Sequence, residues 1–428
     1  MANTYISRTF GTPTNSAIWT LSFWIKRSSL SPSSSQKIFA AGTGSTDRTE
    51  ISFAGGNDGL NIYRNISGST AGLDSTRKFR DTNAWYHIVI QNNNGTAAVY
   101  VNGEAETMSS TSLGTNKINL ASTIHIFGDQ VASGQNFDGL MSHIHFVDGT
   151  IYAPTVFGST DSTTGQWQIN TSPSITMGNN GFTILKDGNT ITDQSANSND
   201  FSLSSGTLTK TEDSPSNVFA TLNPLDNYYA NATFSYGNTR ITTGSSREAS
   251  VTATIPMFKG KYYWETKMVS ANAPFVGIQP IPSFGNTASP APLQLNGYGL
   301  LKTGKVETTD GSGGSNILAS YATYTTGDII GTAVDLDSAQ NKIYFYKNGT
   351  LLGASGVNIT SVGSTSQGMY LVGVGVIASQ DTLEVNFGNG YFGTTAVSSA
   401  GTNASGNGIF EYDVPTGYTA LSTKGLNL

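Results

Sequence analysis

The stretch Ala97–Glu106 reads AAVYVNGEAE, and Lys342–Gly353 repeats its plan as KIYFYKNGTLLG. In each, an alternating segment runs into Asn-Gly and extended sequence then resumes. Alternation puts residues i and i+2 on one face of a strand. Asn-Gly suits a type I′ turn, whose two central residues both take positive φ, and such turns join antiparallel strands. The two stretches therefore predict β-hairpins at Asn102-Gly103 and Asn348-Gly349. Identity outside the turns is low, which argues for two domains of similar architecture rather than a recent duplication.

Working outward, period-two runs recur and helical periodicity is hard to find. The first half predicts strands at Trp19–Lys26, Trp85–Gln91, Ala97–Val101, Ile124–Phe127, Met141–Val147 and Gly181–Lys186. The second half predicts them at Lys261–Val269, Phe275–Gln279, Ile329–Asp335, Lys342–Lys347, Tyr370–Ile377 and Thr382–Phe387. Turn residues interrupt these runs at short intervals, the pattern of a sandwich or barrel. The polar region Asp161–Leu225 reads as closing strands of the first domain and a short linker. The boundary is placed near Pro215–Pro224, dividing the chain into 1–214 and 215–428.

Composition agrees with this reading and excludes several functions. Of 428 residues, 37% are hydrophobic and 10% aromatic, enough to build cores, while only 12% are charged. The polar surface is made of Ser, Thr and Asn with 49 glycines, as in a turn-rich β protein. A net charge of −6 without basic runs speaks against nucleic-acid binding. The absence of cysteine excludes disulfides and thiolate chemistry. The first twenty residues lack an apolar core flanked by basic residues, so no signal peptide is expected. No apolar run approaches the length of a membrane span, so a soluble chain made in a cytosol, with no membrane insertion, is expected.

The residues around each hairpin carry a resemblance. WTLSFWIKR, WYHIVIQ, VYVNGE, IHIFGDQ and FDGLMSHIHFVDG are similar to the strands of a laminin-G-like, concanavalin A-like jelly roll. YYWE (Tyr262–Glu265), FVGI (Phe275–Ile278), GDIIGTAVDLD, IYFYKNGTLLG, YLVGVGV and LEVNFG resemble a SPRY domain in order and spacing. The fold implied is all-β, two tandem concanavalin A-like jelly-roll sandwiches. With the connector phrases FGSTDSTTGQW and SNVFATLNPLD and the terminal DVPTGYTALSTKGL, the whole resembles phage virion structural proteins of tail-fibre or spike type. That resemblance implies a virion location after assembly in the host cytoplasm, with other virion proteins as partners. It also implies adhesion to a host-surface glycan or protein and a homo-oligomer, taken as a trimer. The alternatives are an architectural head or tail decoration protein without host contact and, less favoured, a carbohydrate-active enzyme.

Candidate sites follow from residue type. His143 and His145, at i and i+2 of one strand, are positioned to share a metal if Asp129 or Asp148 supplied a third ligand. The competing reading has both imidazoles pointing outward, with Leu140, Ile144 and Phe146 in the core. Laminin-G-like relatives often hold calcium at the rim, for which Asp129, Asp138 and Asp148 are the nearest acids. Asp138-Gly139 and Asp148-Gly149 also read as turns, and that reading is preferred, so no cofactor is assigned. His87 and His125 read as hydrogen-bonded sandwich histidines. Glu50, Glu265 and Glu384 stand singly on strands, without the closely spaced carboxylates that glycoside hydrolysis needs. Binding rather than catalysis is therefore expected. Its loop candidates are Trp167, in a polar stretch, with Phe284 and Asn286 in the long segment Ile281–Leu295. For Trp167 the preferred reading is a staple holding the connector onto a sandwich, and Trp264 is expected in the core.

Overall fold

The computed structural model describes residues 4–30, 32–132, 134–186, 188–227, 232–244, 249–282, 297–309, 315–376 and 380–427. Phe284 and Asn286 lie outside the described residues. The chain is all-β and forms two compact units. Unit 1 comprises Met1–Lys210 with Ser214–Ser216, and unit 2 comprises Thr211–Asp213 with Asn217–Leu428. Among the described residues, helical structure is limited to short 3-10 turns, and no helix is long and apolar enough to cross a membrane.

Unit 1 is a sandwich of two antiparallel sheets. The first runs, in spatial order, Ser202–Ser205, Tyr5–Thr9, Ile124–Phe127, Gln36–Gly44, Asp47–Phe53, Gly59–Ile66, Ser69–Lys78. The second runs Phe182–Ile184, Gly139–Asp148, Ile18–Arg27, Trp85–Asn93, Thr96–Val101, Glu104–Ala105. Alternation along the second sheet sends Trp19, Leu21, Phe23, Ile88, Ile90, Val99, Phe146 and Phe182 into the core between the sheets. The same alternation leaves Ser22, Trp24, His87 and His145 on the opposite face, which the segment after Asp148 covers.

Unit 2 repeats the architecture. Its first sheet runs Leu222–Asn227, Ala249–Ala253, Leu371–Val376, Pro274–Gln279, Tyr298–Leu301, Lys305–Thr309, Ser315–Ser320. Its second runs Ala232–Ser235, Arg240–Thr243, Thr382–Asn386, Lys261–Ser270, Ile329–Asp335, Lys342–Lys347, Thr350–Asn358. Trp264 is fully buried between the sheets with Val276, Ile330 and Phe345. A smaller apolar cluster of Phe219, Tyr263, Ala333, Phe410, Val414 and Ala420 packs the C-terminal segment onto the far face of the second sheet.

Both Asn-Gly turns form, and they use the same bonds. Asn102 and Asn348 have φ of 50° and 47°, and the glycines that follow have φ of 84° and 79°. The Asn102 side-chain oxygen accepts from the His87 N–H at 2.8 Å, while the Asn102 N–H donates to the His87 carbonyl at 2.9 Å. Asn348 makes the same pair with Ile329, at 2.8 and 2.9 Å. Each glycine also lies under an aromatic ring from later in its unit. A Cβ on Gly103 would sit 2.4 Å from Trp167 Cζ3, and one on Gly349 would sit 2.7 Å from Tyr412 Cδ1. Gly103→Ala is expected to destabilise unit 1 by about 1–3 kcal/mol through its left-handed backbone alone, with displacement of the Trp167 ring adding to that. Urea unfolding followed by tryptophan fluorescence measures it; an unchanged midpoint would refute the packing role.

Apart from a strand around Glu50, the sequence does not anticipate the run Gln36–Gly44, Asp47–Phe53, Gly59–Ile66, Ser69–Lys78. Its alternation is disguised by buried charges. Lys37 and Arg48 both lie 3.0 Å from the fully buried Glu50 carboxylate. Arg27 pairs with Asp58 at 3.1 Å. Charged residues at covered positions read as loop or surface when only hydropathy is followed.

A second departure concerns Gly139–Asp148. The ladder to Ile18–Arg27 shifts between Ser142 and His145, and His143 takes a left-handed φ of 47°. This β-bulge breaks the two-residue alternation. Ile144 and Phe146 are in the core as expected. Leu140, expected there too, is only half-buried, and Met141 packs against the core instead.

Candidate functional site

On the outer face of the second sheet of unit 1, three aromatic rings meet. Trp24 and His87 are register partners with ring centroids 4.9 Å apart and planes 21° from parallel. Trp167 lies edge to edge with His87, with centroids 5.9 Å apart and planes 15° from parallel. Trp167 Nε1 donates to His87 Nδ1 at 3.0 Å, which assigns the proton to His87 Nε2, 2.8 Å from Ser22 Oγ. Burial, and secondarily the neighbouring His145, pushes the His87 pKa down to about 3. His87 is thus a neutral, doubly bonded structural histidine. Trp167 staples the connector to the sheet, and its strand, Trp167–Ile169, pairs with Gly158–Thr160.

His125 is equally committed. It stacks on Phe10 at 3.5 Å, its Nε2 accepts from the Asn119 N–H at 3.0 Å, and Nδ1 donates to the Thr123 carbonyl at 2.9 Å. Its pKa is pushed down to about 3 by complete burial.

His145 differs. Its Nδ1 lies 2.9 Å from Thr183 Oγ1 and its ring stacks on Phe157 at 5.6 Å. Among the described residues, none bonds its Nε2. It sits in a cleft of about 380 Å³ that is also lined by Ser172, Pro173, Ile175, Met177, Thr183, Lys186, Gln194, Ser195, Ala196 and Asn197. That volume falls within the range of small-molecule sites, about 300–1,000 Å³. Burial first, then His143 and Lys186, push the His145 pKa down to about 3, so the ring is neutral at physiological pH. The sequence could flag His145 but not the cleft. Its walls come from segments 172–177 and 194–197, which local periodicity reads only as polar connector.

The remaining candidates separate. His143 occupies the bulge, with Nδ1 2.7 Å from Ser142 Oγ. Among the described residues, no three His, Cys, Asp or Glu side chains gather as a metal would require. Asp129 accepts from the N–H groups of Gln130, Gly134 and Gln135 at 2.8, 3.2 and 3.0 Å, which closes its own loop. Asp138 is pushed above its ordinary pKa by burial. Asp148 is the most heavily bonded. It accepts from the N–H groups of Thr14, Asn15 and Asn180 at 2.6, 3.1 and 3.1 Å and from Asn119 Nδ2 at 2.8 Å. The carboxylate bridges four chain segments, and with its lone pairs filled it acts as a structural clamp.

In unit 2, register places Glu265 opposite Asn386 and Lys267 opposite Glu384. Glu265 and Glu384 thus occupy diagonal positions on neighbouring strands, a juxtaposition that the sequence order hides. They do not form an open pair. Glu265 is fully buried beneath the C-terminal segment and accepts from the N–H groups of Glu411 and Tyr412, both at 2.9 Å. Tyr263 Oη and Asn386 Nδ2 also donate to it, at 3.2 and 3.3 Å. Glu384 instead pairs with Arg240 at 3.3 Å.

The solved structures similar to this chain include the SPRY domain of human HERC1. It is 18% identical and matches over 38% of this chain and 96% of that one, with a TM-score of 0.29. Another is the native heptameric SAP-like pentraxin from Limulus polyphemus, 18% identical over 35% of this chain and 72% of that one, with a TM-score of 0.27. No curated protein matches the chain. Residues 2–157, within unit 1, match a laminin-G-like family described as the concanavalin A-like lectin/glucanases superfamily.

Proposed function

We propose that this chain is a non-catalytic virion structural protein, a phage tail-fibre or spike component that binds a host-surface glycan or protein. The observation that carries the binding role is the cleft beside His145. It lies in a unit that matches a lectin/glucanase superfamily over residues 2–157, and no carboxylate is among its described lining residues. Glycoside hydrolysis needs an acid and a second carboxylate flanking the bond, whereas hydroxyls, amides, a neutral imidazole and an ammonium suit recognition. The virion assignment rests on the connector phrases and the SPRY-like second half. Oligomerisation, taken as trimeric, would multiply weak single sites into useful avidity.

Adsorption competition tests this reading. Purified chain is expected to bind host cells and to slow phage adsorption, without shortening host polysaccharide. Absence of both binding and competition would replace adhesion with an architectural role. Depolymerisation would replace it with catalysis.

A further inference from the structure

We propose that the cleft beside His145 takes an acidic sugar, with the sugar's carboxylate at Lys186 and its hydroxyls against the neutral groups around it. This deepens the adhesive reading and rests on it. Lys186 follows the short strand Phe182–Ile184 and is half-buried in the cleft wall, yet makes no ion pair among the described residues. Four other covered lysines are paired, Lys37 with Glu50, Lys117 with Asp47, Lys261 with Asp335 and Lys347 with Asp328, all at 2.7–3.1 Å. The half-buried Lys267 instead lies over the Phe392 ring, and the half-buried Lys342 donates to the Ser355 carbonyl. A half-buried ammonium with no ion-pair partner among the described residues favours an incoming anion, and a charge-assisted bond to a carboxylate is stronger than a neutral one.

Among the described residues, Asp193 is already committed elsewhere. Asp193 accepts from the N–H groups of Thr183, Ser195 and Asn199, each at 2.9 Å, and from Ser195 Oγ at 2.8 Å. At the floor, His145 is 3% exposed, and its Nδ1 is tied to Thr183, which leaves Nε2 to face a ligand. A single cation among neutral hydrogen-bonding groups suits one carboxylate on a polyhydroxylated body. A nucleic-acid backbone would call for several cations. Pro173, Ile175 and Met177 offer an apolar strip for the C–H face of a sugar ring. The described lining holds no Trp, Tyr or Phe to stack on a sugar.

Titration calorimetry on the full chain tests the assignment, with oligogalacturonate, a hyaluronan oligosaccharide and a sialyl-oligosaccharide as probes. At least one is expected to bind, and its carboxyl-reduced counterpart to bind at least about tenfold more weakly. Lys186→Met should lose at least about tenfold in affinity at an unchanged thermal midpoint, while Lys186→Arg retains most of it. Acetate at the same concentration should not displace the sugar, which separates a sugar acid from a bare carboxylate. The proposal is overturned if no probe binds below about 5 mM, if the reduced sugar binds equally well, or if Lys186→Met binds like the parent. Adsorption competition without acidic-sugar binding would sink this inference alone. Sugar binding without host attachment would sink the adhesive reading alone.

Discussion

Arg27→Met is expected to destabilise unit 1 by about 3–5 kcal/mol, the usual cost of breaking a buried ion pair by removing one partner. Arg27 is fully buried, and its Nη2 lies 3.1 Å from Asp58 Oδ1. Nη1 donates to the Phe79 carbonyl at 2.6 Å, Nη2 donates to Gln36 Oε1 at 3.3 Å, and the guanidinium lies 4.4 Å from the centre of the Phe53 ring. Burial lowers its pKa, and Asp58 opposes that shift. Methionine keeps the apolar stem but removes the buried guanidinium from Asp58, which also pairs with the largely exposed Arg80 at 3.2 Å. Arg27→Lys would keep the charge but lose the planar fork that reaches three acceptors. Unit 1 holds four of the five tryptophans, so fluorescence-detected urea unfolding of the full chain reports on it. The double variant Arg27→Met/Asp58→Asn should recover more than half of the loss, because no charge is then stranded. A single-variant loss under about 1 kcal/mol would show that the pair is not the anchor of this sheet.

The second large effect is a pH dependence centred on Glu265. Burial raises its pKa to about 7, against the opposing bonds from Glu411, Tyr412, Tyr263 and Asn386. Folded unit 2 therefore holds a proton that the unfolded chain has already released. Stability from this group is complete below the ordinary carboxyl value of 4.5 and is lost as pH rises through about 7. At about 1.4 kcal/mol per pH unit, the interval amounts to about 3 kcal/mol. Glu265→Gln cannot ionise and retains an acceptor oxygen for the backbone N–H groups. Its stability relative to the parent should therefore rise by about 3 kcal/mol between pH 5 and 8.5. Calorimetric unfolding of both proteins across that range measures the difference. A constant difference would mean that the four donors, not burial, set the protonation state.

Glu265 also illustrates what hid from the sequence. In YYWET it reads as one polar residue on a strand, and nothing nearby announces that the backbone 146 positions later will donate to it. Trp167 is similar. Its residue type and place in the connector favour a staple onto a sandwich, but nothing local names its partner, His87, eighty positions earlier. His143 and His145 kept the spacing of a shared face, but the left-handed residue between flanking β segments took that geometry away.

What the sequence determined by itself is local. Period-two alternation and the Asn-Gly turns specify an all-β chain and place both hairpins, because positive φ and side-chain alternation involve only a few consecutive residues. The tertiary structure decided which charges could be buried, which aromatic ring would cover each turn glycine, and where segments 172–177 and 194–197 would enclose a cleft beside His145 and Lys186. Those outcomes depend on desolvation and on pairing between segments far apart in the chain, and neither leaves a periodic trace in the residues that take part.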